Sequence, residues 1–344
     1  MISKLVRIPI TFVVWSYTLG LLLYLALRLV IGDGFWLLGW LNNFTPYYFI
    51  PMIILLPLAL LLRSKHLMAI SIILTAIGLM WIVPRFVPDN WTAYHESEIE
   101  LSLKVVTFNM WGGNQNLDEV IIWLRETDAD VVLLQEVSPE WAGEDMEELI
   151  DIYPYQVTNM RYWWGEAILS RYPITAHEQY NDLPMNRIEI DVNSTTIAVY
   201  NVHVFIPQGD TTHLTLPIEH PSLNMLLRYD DSARNDQIDQ LLTILEDEEN
   251  PFIVAGDFNM SDNAVKYGDV AGPLNDSFRG AGIGFGTTWP VAEIANFPDF
   301  IPPLLRIDYI WHSDHFVALN AETGPQLGSD HLPYLATLGL KSYE

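Results

Sequence analysis

The sequence predicts two parts: three membrane-spanning helices, then an α/β domain of two packed sheets flanked by helices. Three observations carry this. Long charge-free apolar runs are confined to the first 84 residues. Charge is segregated along the chain. From Leu101 onward, short strand-like segments alternate with amphipathic helical ones.

The chain has 344 residues, 50% of them hydrophobic, yet 43 are acidic. These facts are compatible because they belong to different regions. Residues 1–85 carry six basic residues against Asp33 alone, a net +5. The remainder carries 11 basic and 42 acidic residues, a net −31. The 12 Trp, 16 Tyr and 14 Phe exclude disorder for most of the chain. The absence of cysteine excludes disulfides, iron–sulfur clusters, thiolate zinc sites and cysteine nucleophiles.

The charge-free runs are Ile8–Leu27, Gly34–Leu62 and Leu67–Pro84, of 20, 29 and 18 residues. A hydrocarbon core takes about 20 apolar residues per helix. The expected spans are 8–31, 44–62 and 67–84, with kinks at Pro51 and Pro57 and with Arg28 snorkelling to the interface. Three such runs in succession are hard to bury within a soluble domain. Lys4 and Arg7 precede the first span, and Arg63 and Lys65 lie between the second and third. The loop 32–43 holds no Lys or Arg. The positive-inside rule therefore places everything after Pro84 outside: a multi-pass membrane protein with an extracytoplasmic domain. The domain plan is an anchor at 1–84, a juxtamembrane linker at 85–100 and a catalytic domain at 101–344. Trp91 and Tyr94 in the linker suit either the headgroup level or packing on the domain.

Leu101–Asn109 alternates apolar and polar residues and reads as a strand. Residues 117–126 place Leu117, Val120, Ile121 and Leu124 on one helical face. Residues 129–134 are a short buried strand, and 139–150 an acidic amphipathic helix. Further strands are expected at 166–171, 186–192, 196–203, 252–257, 305–311 and 332–338, with a helix at 233–245.

The apolar strands end in chemistry. VVTFN ends in Asn109, VVLLQE in Glu136 and AVYNVH in His203. FIVAGDFN ends in Asp257 and Asn259, RIDYIW carries Asp308, and LGSDH gives Asp330 and His331. A buried strand ending in an ionisable group delivers that group to one sheet edge. Each alone is more often a turn residue; six such ends limited to Asn, Asp, Glu and His are not well explained that way. Carboxylates with Asn oxygens and no thiolate suit a hard cation such as Mg²⁺ or Mn²⁺. Histidines add acid, base or electrophilic contacts, completing the parts for in-line phosphoester hydrolysis.

FNMWGG, LLQE, AILSRYPI, YNVH, GDFN, TTWP, RIDYIW and SDHLP occur in the order that marks the endonuclease/exonuclease/phosphatase superfamily, which this chain resembles over about residues 101–340. That group includes pancreatic-type deoxyribonucleases, apurinic endonucleases, neutral sphingomyelinases and inositol polyphosphate 5-phosphatases. The resemblance implies a four-layer α/β sandwich. It implies that Glu136 is the principal metal ligand, with Asn109 beside it and Asp330 near the ion. Asp257 would orient or deprotonate the attacking water, and Asn259 bind the phosphate. His203 would contact a phosphate oxygen or protonate the leaving group. His331 would act on the scissile phosphate, its tautomer held by Asp308. Arg171 and Arg234 match recurrent positions and read as structural.

Other features read as structure. Gly282, Gly284 and Gly286 lack a framing strand–helix unit and read as a loop. His213 and His220 lie in an insertion at 204–232 and read as solvated; His312 and His315 read as surface residues. The clusters GEDMEELID and EDEE read as solvated helix faces.

Charge separates the substrates. A nuclease that grips a duplex usually shows a basic face, and this domain is strongly acidic. Tethering at a bilayer raises the effective concentration of lipid headgroups. The expected partners are therefore the bilayer and a small or lipid-linked phosphoester. An extracytoplasmic nuclease is the second reading and an idle membrane sensor on the same fold the third. The sequence names no protein partner.

Overall fold

The computed structural model describes residues 4–90, 99–161, 164–180, 183–216, 221–291, 294–295, 297–298 and 300–342. The chain forms two compact units. One comprises residues 1–86 with two later segments, 210–229 and 263–265. The other comprises 87–209, 230–262 and 266–344. Trp91, Tyr94 and His220 lie outside the described residues.

The first unit contains helices α1 (Lys4–Ile31), α2 (Trp36–Asn42), α3 (Met52–Leu62) and α4 (Lys65–Ile82). Three stretches are long and apolar enough to cross a membrane: Leu5–Ile31, Thr45–Leu62 and Lys65–Phe86. The second is not one continuous helix. A 3₁₀ turn at Thr45–Phe49 precedes α3, and the break falls at Pro51, while Pro57 sits inside α3. Proline at a helix start loses no bond, because the first N–H groups have no intrahelical partner. Val14, Leu21, Met52, Leu55, Ala59 and Leu74 form a common core.

Arg28 has partners within the unit. Its guanidinium donates to Thr45 Oγ1 at 3.1 Å and to the Asn263 carbonyl at 2.7 Å. Arg85 donates to Asn263 Oδ1 at 2.8 Å. His213, expected to be a solvated loop residue, stacks on Trp36 with ring centroids 4.7 Å apart. Segments 210–229 and 263–265 thus group with the helices, although sequence order places them in the domain that begins at residue 101.

The second unit holds twelve described strands. They are β1 (Ile99–Asn109), β2 (Val131–Val137), β3 (Tyr155–Arg161), β4 (Trp164–Ser170), β5 (Ile174–Tyr180) and β6 (Met185–Val192). They continue with β7 (Thr195–His203), β8 (Phe252–Asp257), β9 (Asn275–Asp276), β10 (Asp308–His312), β11 (Phe316–Thr323) and β12 (Tyr334–Lys341). Two mixed six-stranded sheets result, ordered β11-β12-β1-β2-β4-β3 and β5-β6-β7-β8-β10-β9. Alternation along β1 shows why they stack. Leu103 and Val105 join Ile188, Val199, Ile253 and Ile310 in the core between the sheets. Val106 and Phe108, pointing the other way, meet Val120, Ile121 and Leu124 of helix α5 (Leu117–Thr127). Each such fully buried aliphatic side chain contributes about 1.5–3 kcal/mol. Helices outside two stacked sheets give the expected four-layer sandwich.

Several elements differ from expectation. Residues 139–150 form a π turn (Trp141–Asp145) and a 3₁₀ turn (Met146–Leu149) instead of one α-helix. Trp141, Met146 and Leu149 are all buried. Their spacings of five and three residues suit a wide turn followed by a tight one, not a 3.6-residue period. Strands β3, β5, β9 and β11 were not anticipated. The pattern ITAHEQY of β5 is largely exposed, so it carries no apolar stripe. His312 is buried, not superficial, and its Nδ1 lies 2.9 Å from the Ser313 carbonyl. Burial holds its pKa below the ordinary histidine value. The Gly282–Gly286 stretch is a loop, as expected, with Gly282 and Gly286 against the Phe278 ring.

Arg306, unremarked in RIDYIW, is fully buried and forms two hydrogen bonds with Asp276, at 2.7 and 2.6 Å. Asp276 also caps the short helix Ser277–Ala281 by accepting from the Phe278 and Arg279 amides. Burial alone would raise the Asp276 pKa, but Arg306 outweighs it and the carboxyl is held below its ordinary value. Breaking a buried pair strands a charge and costs about 3–5 kcal/mol. Arg306→Met is expected to lower the unfolding free energy by about that amount in urea melts, and Asp276→Asn to restore part of it. A loss below about 1 kcal/mol would show that the pair is solvated.

Candidate active site

Pairing register brings the strand ends together. β1 and β2 run parallel with Asn109 opposite Gln135. β7 and β8 run parallel with His203 opposite Asp257, and β8 and β10 run antiparallel with Asp257 opposite Asp308. Asp308 therefore opens its strand instead of ending it. Because β10 runs the other way, its start lies beside the carboxyl end of β8.

Local backbone devices then aim the side chains. The β2–β4 ladder shifts register between Leu134 and Val137, and Glu136 within that shift has φ +51°. An extra residue re-aims a strand side chain that regular pleating would send elsewhere. Asn259 takes φ +45°, a region that Asn tolerates. Gly256 has φ +148°, and a Cβ there would fall 1.8 Å from the Val202 carbonyl oxygen. Only glycine lets β8 approach β7 so closely.

The resulting contacts form a chain. Asn109 Nδ2 donates to Glu136 Oε1 and to Asp257 Oδ2, both at 3.1 Å. His203 Nε2 lies 3.6 Å from Glu136 Oε1 and 3.9 Å from Asp257 Oδ2. His331 Nε2 lies 3.8 Å from Asp257 Oδ2, and its Nδ1 lies 2.9 Å from Asp308 Oδ2. Asn259 donates to Asp257 from its amide N at 2.8 Å and from Nδ2 at 3.2 Å. Asp330 is at the edge, where its Oδ2 accepts from Trp289 Nε1 at 3.3 Å.

Electrostatics follow from burial and charge. Burial raises the Asp257 pKa to about 7; the Asp308 charge adds to the rise, and His331 opposes it. Burial disfavours charge on His331, but Asp308 and Asp257 outweigh it and push its pKa up to about 10. Burial lowers the His203 pKa against the attraction of Glu136. Burial raises that of Asp330, and the charge of Glu136 raises it further. His331 is thus a hydrogen-bonded cation, while His203 favours the neutral form.

Sequence reasoning missed the groups that support these. Thr288 Oγ1 donates to Asp308 Oδ2 at 2.5 Å. Ser329 Oγ donates to the Asn109 carbonyl at 2.7 Å and accepts from the His331 amide at 3.0 Å. Beneath the site, Gln135 Nε2 donates to Asn201 Oδ1 at 2.7 Å, and Asn201 donates to the Leu134 and Ala167 carbonyls. This buried amide pair ties one sheet to the other. Thr288, Trp289, Gln135 and Asn201 all lay inside motifs already noticed, so the signal was present without the partner. Arg234, read as structural, donates to the Asn259 carbonyl at 2.9 Å and fixes that loop. Arg171 pairs with Asp128.

The donor set fits a hard divalent cation. Among the described residues, no Lys or Arg pairs with Glu136, Asp257, Asp308 or Asp330. Asp308 Oδ1 is buried without a hydrogen-bond partner. Ligand atoms of Asp257, Asp308 and His331 lie within 4.8 Å of one another. A hard divalent cation prefers oxygen donors to an imidazole, so an ion is better served by the Glu136 carboxylate than by His331.

The sequence model of the Endonuclease/Exonuclease/phosphatase family matches residues 106–331, two thirds of the chain. The chain belongs to that family. It is an enzyme of the corresponding class, a metal-dependent phosphoric ester hydrolase. No curated protein matches the chain. Solved structures share the fold. A family member from Bacteroides vulgatus aligns with TM-score 0.55 and 16% identity, covering 70% of this chain and 100% of its own. Truncated Caenorhabditis elegans TDP2 gives TM-score 0.54 and 18% identity, covering 70% and 99%. A family member from Leptotrichia buccalis gives TM-score 0.54 and 17% identity, covering 69% and 100%. At such identities the likeness establishes the family fold and not a substrate.

Proposed function

We propose that this family member is a membrane-anchored phosphoesterase that hydrolyses a small or lipid-linked phosphoester on the extracytoplasmic side, with Mg²⁺ or Mn²⁺. The observation that carries the reading is the unbroken contact chain from Glu136 through Asn109, Asp257 and His331 to Asp308. Glu136, Asp330 and the Asn109 amide oxygen would hold the cation. When bound, the cation offsets negative charge on the phosphoryl oxygens. Asp257 accepts the proton of the attacking water, positioned by Asn259 and Asn109. His331 stays protonated through Asp308 and holds a phosphoryl oxygen. His203 borders Glu136 on the other side and faces the leaving group.

Charge supports the substrate class. Arg187 is bound to Glu189 and Glu248 at 2.8 and 2.7 Å. Arg125, Arg171, Lys266 and Arg279 are likewise paired with acids, and Arg234 and Arg306 are buried. Side chains engaged in this way offer little to a nucleic-acid backbone.

Two assays test the reading. Purified full-length protein with Mg²⁺ is expected to turn over a short-chain phospholipid or lipid pyrophosphate faster than it nicks plasmid DNA at low salt. Low-salt nicking that is faster, and that disappears in His331→Ala, would make the nuclease reading the better one. Protease added to intact spheroplasts is expected to release a fragment beginning near residues 85–100. A protected domain would reverse the orientation.

A further inference from the structure

A cavity of about 310 Å³ opens on the helical unit, lined by Ser16, Tyr17, Gly20 and Tyr24 of α1 and by Leu41 and Tyr48. Ser16, Gly20 and Tyr24 recur every four residues and form one stripe along α1, which Arg28 continues by one more turn. Three tyrosines line the cavity, yet their hydroxyls are engaged within the protein. Tyr17 donates to the Tyr48 carbonyl at 2.7 Å, Tyr48 to the Leu41 carbonyl at 2.9 Å, and Tyr24 to Asn42 Oδ1 at 2.9 Å. The rings therefore act as apolar walls. A Cβ at Gly20 would meet nothing within 4 Å, so no packing contact calls for glycine there. Its missing side chain leaves open space in the middle of a helix, where glycine is otherwise unfavourable.

A cation closes one end of the stripe. The half-buried Arg28 donates to Thr45 Oγ1 at 3.1 Å and to the Asn263 carbonyl at 2.7 Å, with the Trp81 ring 5.4 Å away. Both acceptors are neutral, and a guanidinium has five N–H groups to offer. Thr45 Oγ1 also lies 2.6 Å from the Tyr24 hydroxyl, which joins the cation to the cavity. Asp33, the one acid among residues 1–85, accepts instead from Asn42 Nδ2 at 2.5 Å and from the Val265 amide at 2.6 Å. Among the described residues no carboxylate pairs with Arg28. A charge carried on a membrane helix calls for a partner, and the chain supplies only neutral ones.

We propose that this cavity binds one anionic phospholipid, with its phosphate on Arg28 and one acyl chain lying along Tyr24 and Gly20 to Ser16. The proposal rests on the membrane-anchored reading. Length argues for this occupant. Arg28 and Ser16 are 12 residues apart, about 18 Å along a helix. Half of a hydrocarbon core is about 15 Å, the depth that one acyl chain reaches below its headgroup. Charge selects the headgroup. The phosphate of phosphatidylcholine carries its own ammonium, whereas an anionic lipid leaves its charge for the guanidinium. A free anion would bring no chain for the cavity.

The probe is phosphatidylglycerol with a diazirine on one acyl chain, in phosphatidylcholine nanodiscs holding the full-length protein. Phosphatidylcholine with the same tail is the control. After irradiation, adducts are mapped by peptide mass spectrometry. The adduct yield on residues 16–24 is expected to be about fivefold higher for phosphatidylglycerol. Arg28→Gln should bring the two lipids to parity, and Arg28→Lys should keep most of the preference. Gly20→Phe fills the cavity without a backbone clash and should lower the yield for both. Equal yields in the unaltered protein, or a phosphatidylglycerol preference that survives Arg28→Gln, overturns the site. An alkaline carbonate wash of the membranes tells this failure from failure of the anchor. Protein that stays in the membrane with equal yields keeps the anchor and loses the lipid site, whereas protein that washes out removes both.

Discussion

Glu136→Gln is expected to lower kcat by at least about 100-fold and to raise the Mg²⁺ concentration needed for half-maximal rate. The substitution removes one negative charge with almost no change of shape. The Asn109 Nδ2 contact at 3.1 Å and the register shift that aims the side chain can both persist. What is lost is one of the charges that, on the proposed reading, would hold a divalent cation with Asp330. Rate recovery at high Mg²⁺ is therefore expected, because mass action compensates weaker binding. The measurement is initial rate against Mg²⁺ for both proteins, with chelator as the zero point. An unaltered rate in chelator would remove the cation from the reaction.

His331→Ala is expected to lower kcat by about 10²- to 10⁴-fold, with a smaller effect on KM. Its imidazolium lies 3.8 Å from Asp257 and 2.9 Å from Asp308, and those charges keep it protonated up to a pH of about 10. Removing it also leaves Asp308 buried without its main partner. Asp308→Asn should cost less, since Thr288 still holds the new amide and His331 remains. If Asp308 acts through its 2.9 Å contact with His331, as proposed, the two effects should not add. Single-turnover rates of the two single variants and the double variant check this. Additive losses would mean that Asp308 contributes independently of the histidine.

The site was legible wherever a residue's chemistry and its place in a motif sufficed. Asn109, Glu136, His203, Asp257, Asn259, Asp308, Asp330 and His331 all sat at or next to the ends of apolar runs, and β1, β2, β7 and β8 show as such runs. Thr288 was not legible as the partner of Asp308, nor Ser329 as the brace between Asn109 and His331. A hydroxyl in a loop carries no mark of the carboxylate it will meet. Asn201 and Gln135 were hidden for the same reason. A buried amide in a strand signals that a partner exists, but not which of 344 residues supplies it.

By itself, the sequence determined what depends on local pattern. Charge-free runs defined three candidate spans, alternation and helical spacing defined most elements of an α/β domain, and ordered motifs defined the family. Only the tertiary structure decided what depends on pairing. It set Asp308 at the start of an antiparallel strand, where it meets the end of β8. It gave Arg306 the buried partner Asp276, and it gave Arg28 the Asn263 carbonyl. It also made Gly20 of α1 and Tyr48 of the 3₁₀ turn two walls of one cavity. The physical reason is common to all of these. Periodicity and composition are sums over neighbours in the chain, whereas a hydrogen bond, an ion pair or a cavity wall exists only between groups that folding brings within a few ångströms.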